Sequence, residues 1–297
     1  MIKTKTKKLR QLIAGEGMII APGAYDGISA TLINNAGFPV VYMTGSGTSA
    51  ALGYPDFGLI TLTEMVRNAA RINACVDVPV IADADTGYGN ELNVVRTVHE
   101  YERAGVAAIH LEDQEFPKKC GHLDGKKVIG LDHYLAKIRA AVDARSDPDF
   151  QIIARTDARA VIGFDEAIAR ANAALDAGAD IAFVEAPQTL DEVKAVPKLV
   201  NGPCLLNVVY GGKTPDVGFG AARDMGYKLA ILPSLLFRGV IGLCEELLSH
   251  VKQTNALPAP TGELSPLDAF RRFGADEWDE LRVKYNKPAS APKAAAE

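Results

Sequence analysis

Short apolar runs rich in Val, Ile, Leu and Ala recur along the chain, separated by amphipathic stretches of helical length. The runs are MIIAPGAY at 18–25, VVYMTGSG at 40–47, PVIADADTG at 79–87, AAIHLEDQ at 107–114, FQIIARTDA at 150–158, IAFVEAP at 181–187, PCLLNVV at 203–209 and LAILPS at 229–234. They predict eight strands. Between them, LTEMVRNAARINA at 62–74, ELNVVRTVHEYERAG at 91–105, DHYLAKIRAAVDA at 132–144 and EAIARANAALDAG at 166–178 place apolar residues at i, i+3 and i+4, the period of a helix with one buried face. Several end in Ala-Gly, a helix stop. Fully apolar strands alternating with helices imply a parallel sheet covered on its faces, and eight such units point to a closed (β/α)₈ TIM barrel rather than an open doubly wound sheet.

The pattern changes near the end. Residues 1–255 carry the barrel, ALPAPTGELSP at 256–266 reads as a linker, and LDAFRRFGADEWDELRVKYN at 267–286 predicts one or two extra C-terminal helices. Phe270, Phe273 and Trp278 there need a surface to cover. The final KPASAPKAAAE is expected to be disordered.

The 297 residues suit one barrel, which needs roughly 250. A net charge of −5 without a clustered basic face argues against nucleic acid as a partner. No apolar run is long enough to span a bilayer and the basic start lacks a secretory signal's apolar core, so a cytoplasmic protein without a membrane partner is expected. Cys75, Cys120, Cys204 and Cys244 are scattered without CxxC spacing, which suggests reduced thiols and no structural zinc site.

In a closed barrel the C-terminal strand ends face the active site. Those ends carry Tyr42, Thr44 and Ser46; Asp83 and Asp85; Glu112 and Asp113; Arg155 and Asp157; Glu185; and Asn207. Any one of these serves a helix cap or turn as readily as a site, but a whole ring of them is a different matter. In Asp83-Ala84-Asp85 the period of two puts both carboxylates on one side of a strand, where they repel unless a cation joins them. With Glu112 they form an all-oxygen set suited to Mg²⁺ or Mn²⁺ rather than zinc. Arg155 can clamp a substrate carboxylate or form an ion pair with Glu185 or Asp157, and Asn207 can bind a second carboxylate or cap a loop.

The segment EFPKKCGHLDGKKVIG at 115–130 is a long βα connection, expected to act as a lid. Cys120 lies there beside Lys118, Lys119 and His122, cations expected to lower its thiol pKa, while Gly121 lets the backbone approach a ligand.

These residues resemble the isocitrate lyase/phosphoenolpyruvate mutase superfamily from about Ala21 to Leu248. The resemblance rests on YMTGSG at 42–47, YPDFG at 54–58, DADTGYG at 83–89, IHLEDQ at 109–114, KKCGH at 118–122, ARTDA at 154–158, VEAP at 184–187 and GGKTP at 211–215. It implies Mg²⁺ held by Asp83, Asp85 and Glu112 with Asp56 nearby, and substrate bound by Thr44, Gly45, Ser46, Gly121, Arg155, Glu185, Asn207 and Pro233. It implies Cys120, Tyr42, His122 and Glu112 as catalytic residues. KKCGH marks the carbon–carbon lyases of the superfamily, so the implied reaction is Mg²⁺-dependent cleavage of a 2-hydroxy dicarboxylate to a 2-oxo acid and a carboxylic acid. NVVYGGKTP at 207–215 is more similar to the 2,3-dimethylmalate lyase type than to the 2-methylisocitrate lyase type. Oxaloacetate acetylhydrolase, a decarboxylase or phosphonopyruvate-type enzyme, and a non-catalytic oxo-acid-binding barrel remain as alternatives. The resemblance also implies a homotetramer that swaps its C-terminal helices between subunits.

Overall fold

The structure, a computed structural model, describes residues 4–286, so the tail expected to be disordered lies outside the described residues. In chain order the elements are α1 (Lys5–Ala14), β1 (Ile19–Ala24), α2 (Gly27–Asn35), β2 (Val41–Met43), α3 (Gly45–Ala51), α4 (Leu62–Ala74), β3 (Val80–Asp83), α5 (Glu91–Arg103) and β4 (Ala108–Glu112). They continue with α6 (Leu131–Ala144), β5 (Gln151–Thr156), α7 (Ala158–Val161), α8 (Phe164–Asp176), β6 (Ile181–Val184), α9 (Leu190–Leu199), β7 (Cys204–Asn207), α10 (Phe219–Met225), β8 (Leu229–Leu232) and α11 (Leu235–Thr254). A 3-10 turn (Thr261–Glu263), α12 (Pro266–Arg271) and α13 (Ala275–Tyr285) follow.

The eight strands form a closed parallel barrel in sequence order, as the alternation predicts. Closure is made by β8 against β1, in the register Ile19↔Leu229 to Pro22↔Leu232. Ala21, Ile81, Ile153, Phe183, Leu205 and Ile231 fill the barrel interior, and Leu9 and Ile13 of α1 pack with the same cluster. Leu9 is fully buried, so Leu9→Ala is expected to cost about 2–5 kcal/mol through lost transfer energy and a residual cavity. Capping boxes at Thr61/Glu64 and Asn90/Asn93 start α4 and α5 by satisfying amides that lack a helical partner.

The strands end earlier than their apolar runs suggested. In the second run only Val41–Met43 is strand, because the Thr44 side chain accepts from Gly47 N and opens α3 at Gly45. In the third run β3 stops at Asp83, and Asp85 lies beyond it with φ 47°, in the left-handed region. The period-two argument for Asp85 is therefore wrong, and any meeting of the two carboxylates must come from the turn.

Contacts divide the chain into two compact units, Met1–Leu243 and Cys244–Glu297, a division that falls inside α11. The first holds the barrel. In the second, α12 and α13 contact each other. All four cysteines are free, and no described helix is long and apolar enough to cross a membrane.

Candidate active site

At the mouth of the barrel the TGSG segment is a helix start. Thr44 is buried, its Oγ1 lies 3.0 Å from Ser46 Oγ, and Gly45 N donates to Asp83 Oδ2 at 3.2 Å. Only glycine fits at 45, since a Cβ there would overlap the Asp83 carboxyl. Tyr42, one turn of the pleat below, places its hydroxyl 2.8 Å from His110 Nε2 and 3.4 Å from Asp83 Oδ2. Burial first, and then Asp83, push the Tyr42 phenol well above its usual value. Burial drives His110 down to about 3, so its ring is neutral.

Asp83, Asp85 and Glu112 are all buried, and the barrel brings them to one region with Asp56. Burial raises all three carboxyls, Asp85 to about 6, with Asp83 and Asp56 adding to its shift and Lys118 opposing it. Lys118 of the lid sits 2.5 Å from Asp56 Oδ1 and 2.6 Å from Asp85 Oδ1. Asp85 Oδ1 and both Glu112 oxygens are buried without a well-directed hydrogen bond, although Lys118 and Arg155 approach them. Hard carboxylate oxygens with raised pKa values and unsatisfied lone pairs suit a divalent cation such as Mg²⁺. Among the described residues, however, no three His, Cys, Asp or Glu side chains already stand at metal-binding spacing.

The lid is closed on the barrel. Its two limbs pair through Glu115 N to Lys127 O at 2.9 Å and Ile129 N to Asp113 O at 2.9 Å, and Gln114 holds Lys119 by both its side-chain amide groups. Cys120 N donates to Asp56 O at 3.2 Å, which seats the thiol over the site. The expected acidic cysteine is corrected: burial, followed by Asp56, raises the Cys120 pKa. The cause is geometric, since Lys118 pairs with Asp56 and Asp85, and burial, aided by Arg155 and Lys126 against the opposing Glu185, leaves His122 depressed rather than cationic. Lys213 N donates to His122 Nδ1 at 3.1 Å, which leaves the ring proton on Nε2, 3.5 Å from Glu185 Oε1. Gly121 is also constrained, because a Cβ there would overlap Glu185 Oε1 and approach Arg155 Nη2.

Arg155 is both the predicted clamp and an ion-pair partner. Its guanidinium meets Asp157 at 2.9 Å, Glu112 at 3.1 Å and Glu185 at 3.8 Å, and lies over the Phe183 ring at 5.2 Å. Asn207 Nδ2 donates to both Glu185 oxygens at 3.2 Å. A cavity of 180 Å³ opens onto Tyr42, Thr44, Ser46, Asp56, Asp83, Cys120, Gly121, His122, Arg155, Glu185, Asn207 and Pro233. Gly45, Asp85 and Glu112 stand behind this lining, reaching it through Asp83, Lys118 and Arg155 respectively.

Several residues of the site escaped the sequence reading. Lys118 was legible as a lid cation but not as the partner of Asp56 and Asp85. Phe183 lines the cavity two residues before Glu185, so the strand's period of two pointed to it. Arg238 also lines the cavity, with Nη1 donating to Tyr210 O at 2.7 Å, and carried no signal because it lies inside α11 rather than at a strand end.

Comparison with known proteins agrees with this architecture. The chain is 50% identical over 228 residues to 2,3-dimethylmalate lyase of Eubacterium barkeri, covering 76% of this chain and 79% of that protein. It is 45% identical over 245 residues to 2-methylisocitrate lyase of Aeropyrum pernix, covering 82% and 79%. A solved oxaloacetate acetylhydrolase bound to the inhibitor 3,3-difluorooxalacetate superposes with a TM-score of 0.92 at 38% identity, covering 96% of this chain and 98% of that one. The phosphoenolpyruvate phosphomutase family model matches residues 9–252. With the closed barrel, the acidic mouth and the cysteine-bearing lid in place, the chain belongs to the phosphoenolpyruvate phosphomutase family, within the phosphoenolpyruvate mutase/isocitrate lyase superfamily.

Proposed function

We propose that the chain is a divalent-cation-dependent carbon–carbon lyase that cleaves a small 2-hydroxy di- or tricarboxylate of the 2,3-dimethylmalate or 2-methylisocitrate type. The observation that carries this reading is a half-buried Cys120 held by a closed lid over a cavity lined by carboxylates, Arg155 and Asn207. The resemblance of the chain to named lyases supports it.

Asp83, Asp85 and Glu112, with Asp56 close by, would hold the cation, Mg²⁺ or Mn²⁺. When bound, it supplies electrophilic stabilisation for charge developing on the oxo-acid oxygen. Arg155 and Asn207 bind the substrate carboxylates, with Thr44, Ser46, Gly121, Glu185 and Pro233 shaping the rest of the cavity. Tyr42, which keeps its phenol proton, is placed to relay the 2-hydroxyl proton, accepting it as its own O–H proton passes to Asp83 Oδ2, 3.4 Å away. The bond between C2 and C3 then breaks, its electron pair stays on C3, and C2 becomes the carbonyl carbon of the oxo acid. Cys120 delivers its thiol proton to C3, which completes the carboxylic acid product. The raised thiol pKa keeps that proton in place at neutral pH. His122, neutral and fixed by Lys213 N, orients Glu185, which in turn accepts from Asn207, beside the thiol. The docked lid excludes water, which protects the carbanion from the wrong proton source.

A second reading, oxaloacetate acetylhydrolase, has comparable structural support, since solved structures of that enzyme and of 2,3-dimethylmalate lyase superpose with TM-scores of 0.92 and 0.91. Coupled assays with Mg²⁺ separate the two. Pyruvate from 2,3-dimethylmalate or 2-methylisocitrate supports the lyase, whereas oxalate and acetate from oxaloacetate, without pyruvate from either acid, supports the hydrolase. For assembly, the reading is a cytoplasmic homotetramer in which α11 and the helices after the linker pack on a neighbouring subunit. Phe270, Phe273 and Trp278 support it by remaining exposed, as does α11, which buries no residue.

A further inference from the structure

The lid has an anchor on the barrel that the chemistry above does not use. Lys126, on the returning limb, is buried with only 8% of its surface exposed. Its Nζ donates to the carbonyl oxygen of Gly121, the residue after the thiol, and to Asp157 Oδ1 at 2.6 Å. Asp157 in turn accepts Arg155 Nε on Oδ2 at 2.9 Å and Arg155 Nη2 on Oδ1 at 3.2 Å. Its backbone is fixed as well, since Asp157 N donates to Asp113 Oδ1 at 2.8 Å. One carboxylate therefore joins the peptide beside Cys120 to the guanidinium of the cavity.

Lys126 and Gly121 travel with the lid, whereas Asp157 and Arg155 belong to the barrel. Lifting the lid must break the Lys126–Asp157 pair and leave a carboxylate buried with one cation fewer, a costly state in a dry site. Although burial opposes it, Arg155 and Lys126 together hold the Asp157 carboxyl down to about 2, so the acceptor is always charged. The contact to the Gly121 carbonyl fixes the backbone at the residue next to the thiol, where an error of about 1 Å costs roughly 10²-fold in rate.

We propose that Lys126 and Asp157 form a latch that sets the closed position of the Cys120 lid and ties it to the orientation of Arg155, which makes Lys126 a positioning residue for proton delivery. The kinetic consequence rests on the lyase reading, but the accessibility of Cys120 does not.

The test follows alkylation of Cys120 by iodoacetamide, resolved from the other thiols by peptide mass spectrometry, with Mg²⁺ and saturating oxalate as the probe ligand. Lys126→Met and Lys126→Gln are compared with wild type and with Lys127→Met, an exposed neighbour on the same limb. At equal oxalate occupancy both Lys126 variants are expected to alkylate at least about tenfold faster than wild type, the ratio set by about 1.4 kcal/mol in the closing equilibrium. Lys127→Met should match wild type, and oxalate affinity by calorimetry should stay within about threefold in all variants. Where a substrate is turned over, kcat should fall about 10²-fold in Lys126→Met with KM nearly unchanged. Alkylation at the wild-type rate in either Lys126 variant overturns the latch, and so does an oxalate affinity that falls as far as the protection does. Absence of turnover in wild type, with the alkylation differences present, removes the lyase reading and leaves the latch standing.

Discussion

Lys118 Nζ stands 2.5 Å from Asp56 Oδ1 and 2.6 Å from Asp85 Oδ1, a lysine of the lid seated between two carboxylates of the barrel mouth. Closing the lid therefore does two things at once. It brings Cys120 over the cavity, and it delivers a positive charge to a cluster whose members burial would otherwise neutralise by protonation.

The first prediction concerns the cation. Asp85→Ala removes one of the clustered carboxylates and relieves repulsion from Asp83 and Asp56, so the barrel should still fold. Mg²⁺ affinity measured by calorimetry should be lost, and turnover should drop by more than about 10²-fold, as for loss of a metal-ion contribution. Full activity in EDTA, in wild type, would show that the cluster serves another purpose.

The second prediction concerns pH. Burial raises the Asp85 carboxyl from 3.8 to about 6. A carboxyl raised in the folded chain contributes stability that is fully present below its unfolded pKa and is lost as pH rises through its folded pKa. Metal-free protein should therefore lose about 3 kcal/mol from this group between about pH 4 and pH 7. Urea midpoints in EDTA should fall more steeply across that window for wild type than for Asp85→Asn, and Mg²⁺ should restore the wild-type loss at the upper end. Parallel pH profiles for the two proteins would contradict the assignment.

Much of this architecture could be read from the chain itself. The eight apolar runs are the eight strands, because a parallel strand buried on both faces needs an uninterrupted apolar sequence. Strand ends were less legible, since Thr44 and Asp85 look like continuations of a strand until a cap or a left-handed φ ends it. Of the cavity residues, Tyr42, Thr44, Ser46, Asp83, Arg155, Glu185 and Asn207 were legible from their place at strand ends and Cys120, Gly121 and His122 from the long lid, whereas Asp56 and Pro233 entered only through the resemblance. What failed was partner choice, which is tertiary: sequence neighbours made Lys118 a perturber of Cys120, whereas the fold sends it to Asp56 and Asp85. Arg238 went unnoticed because it lies inside α11, and Lys126, although within the lid, because its partner Asp157 is chosen by the fold.

The third prediction tests the close seating of the lid. A methyl group at Gly121 would overlap Glu185 Oε1 and press on Arg155 Nη2, so Gly121→Ala should hold the lid away from the cavity. The kcat should fall about 10²-fold, the cost of roughly 1 Å of misplacement, with little change in thermal stability because the lid is not part of the barrel core. Turnover within about threefold of wild type would mean that the lid does not close this far in the cycle.

The fourth prediction concerns assembly. Truncation after Ala256 removes Phe270, Phe273 and Trp278, all exposed, and should reduce the oligomer measured by light scattering to a smaller species. An unchanged mass would locate the subunit contacts elsewhere.

The account turns on Cys120 as the proton donor in carbon–carbon cleavage. With a verified substrate and saturating Mg²⁺, Cys120→Ser should lower kcat by about 10²-fold or more with KM nearly unchanged, because a hydroxyl is a far weaker acid than a thiol while the cation, Arg155 and the 44–46 turn still hold the substrate. Near-normal cleavage by Cys120→Ser, measured under the same conditions, would contradict the lyase mechanism.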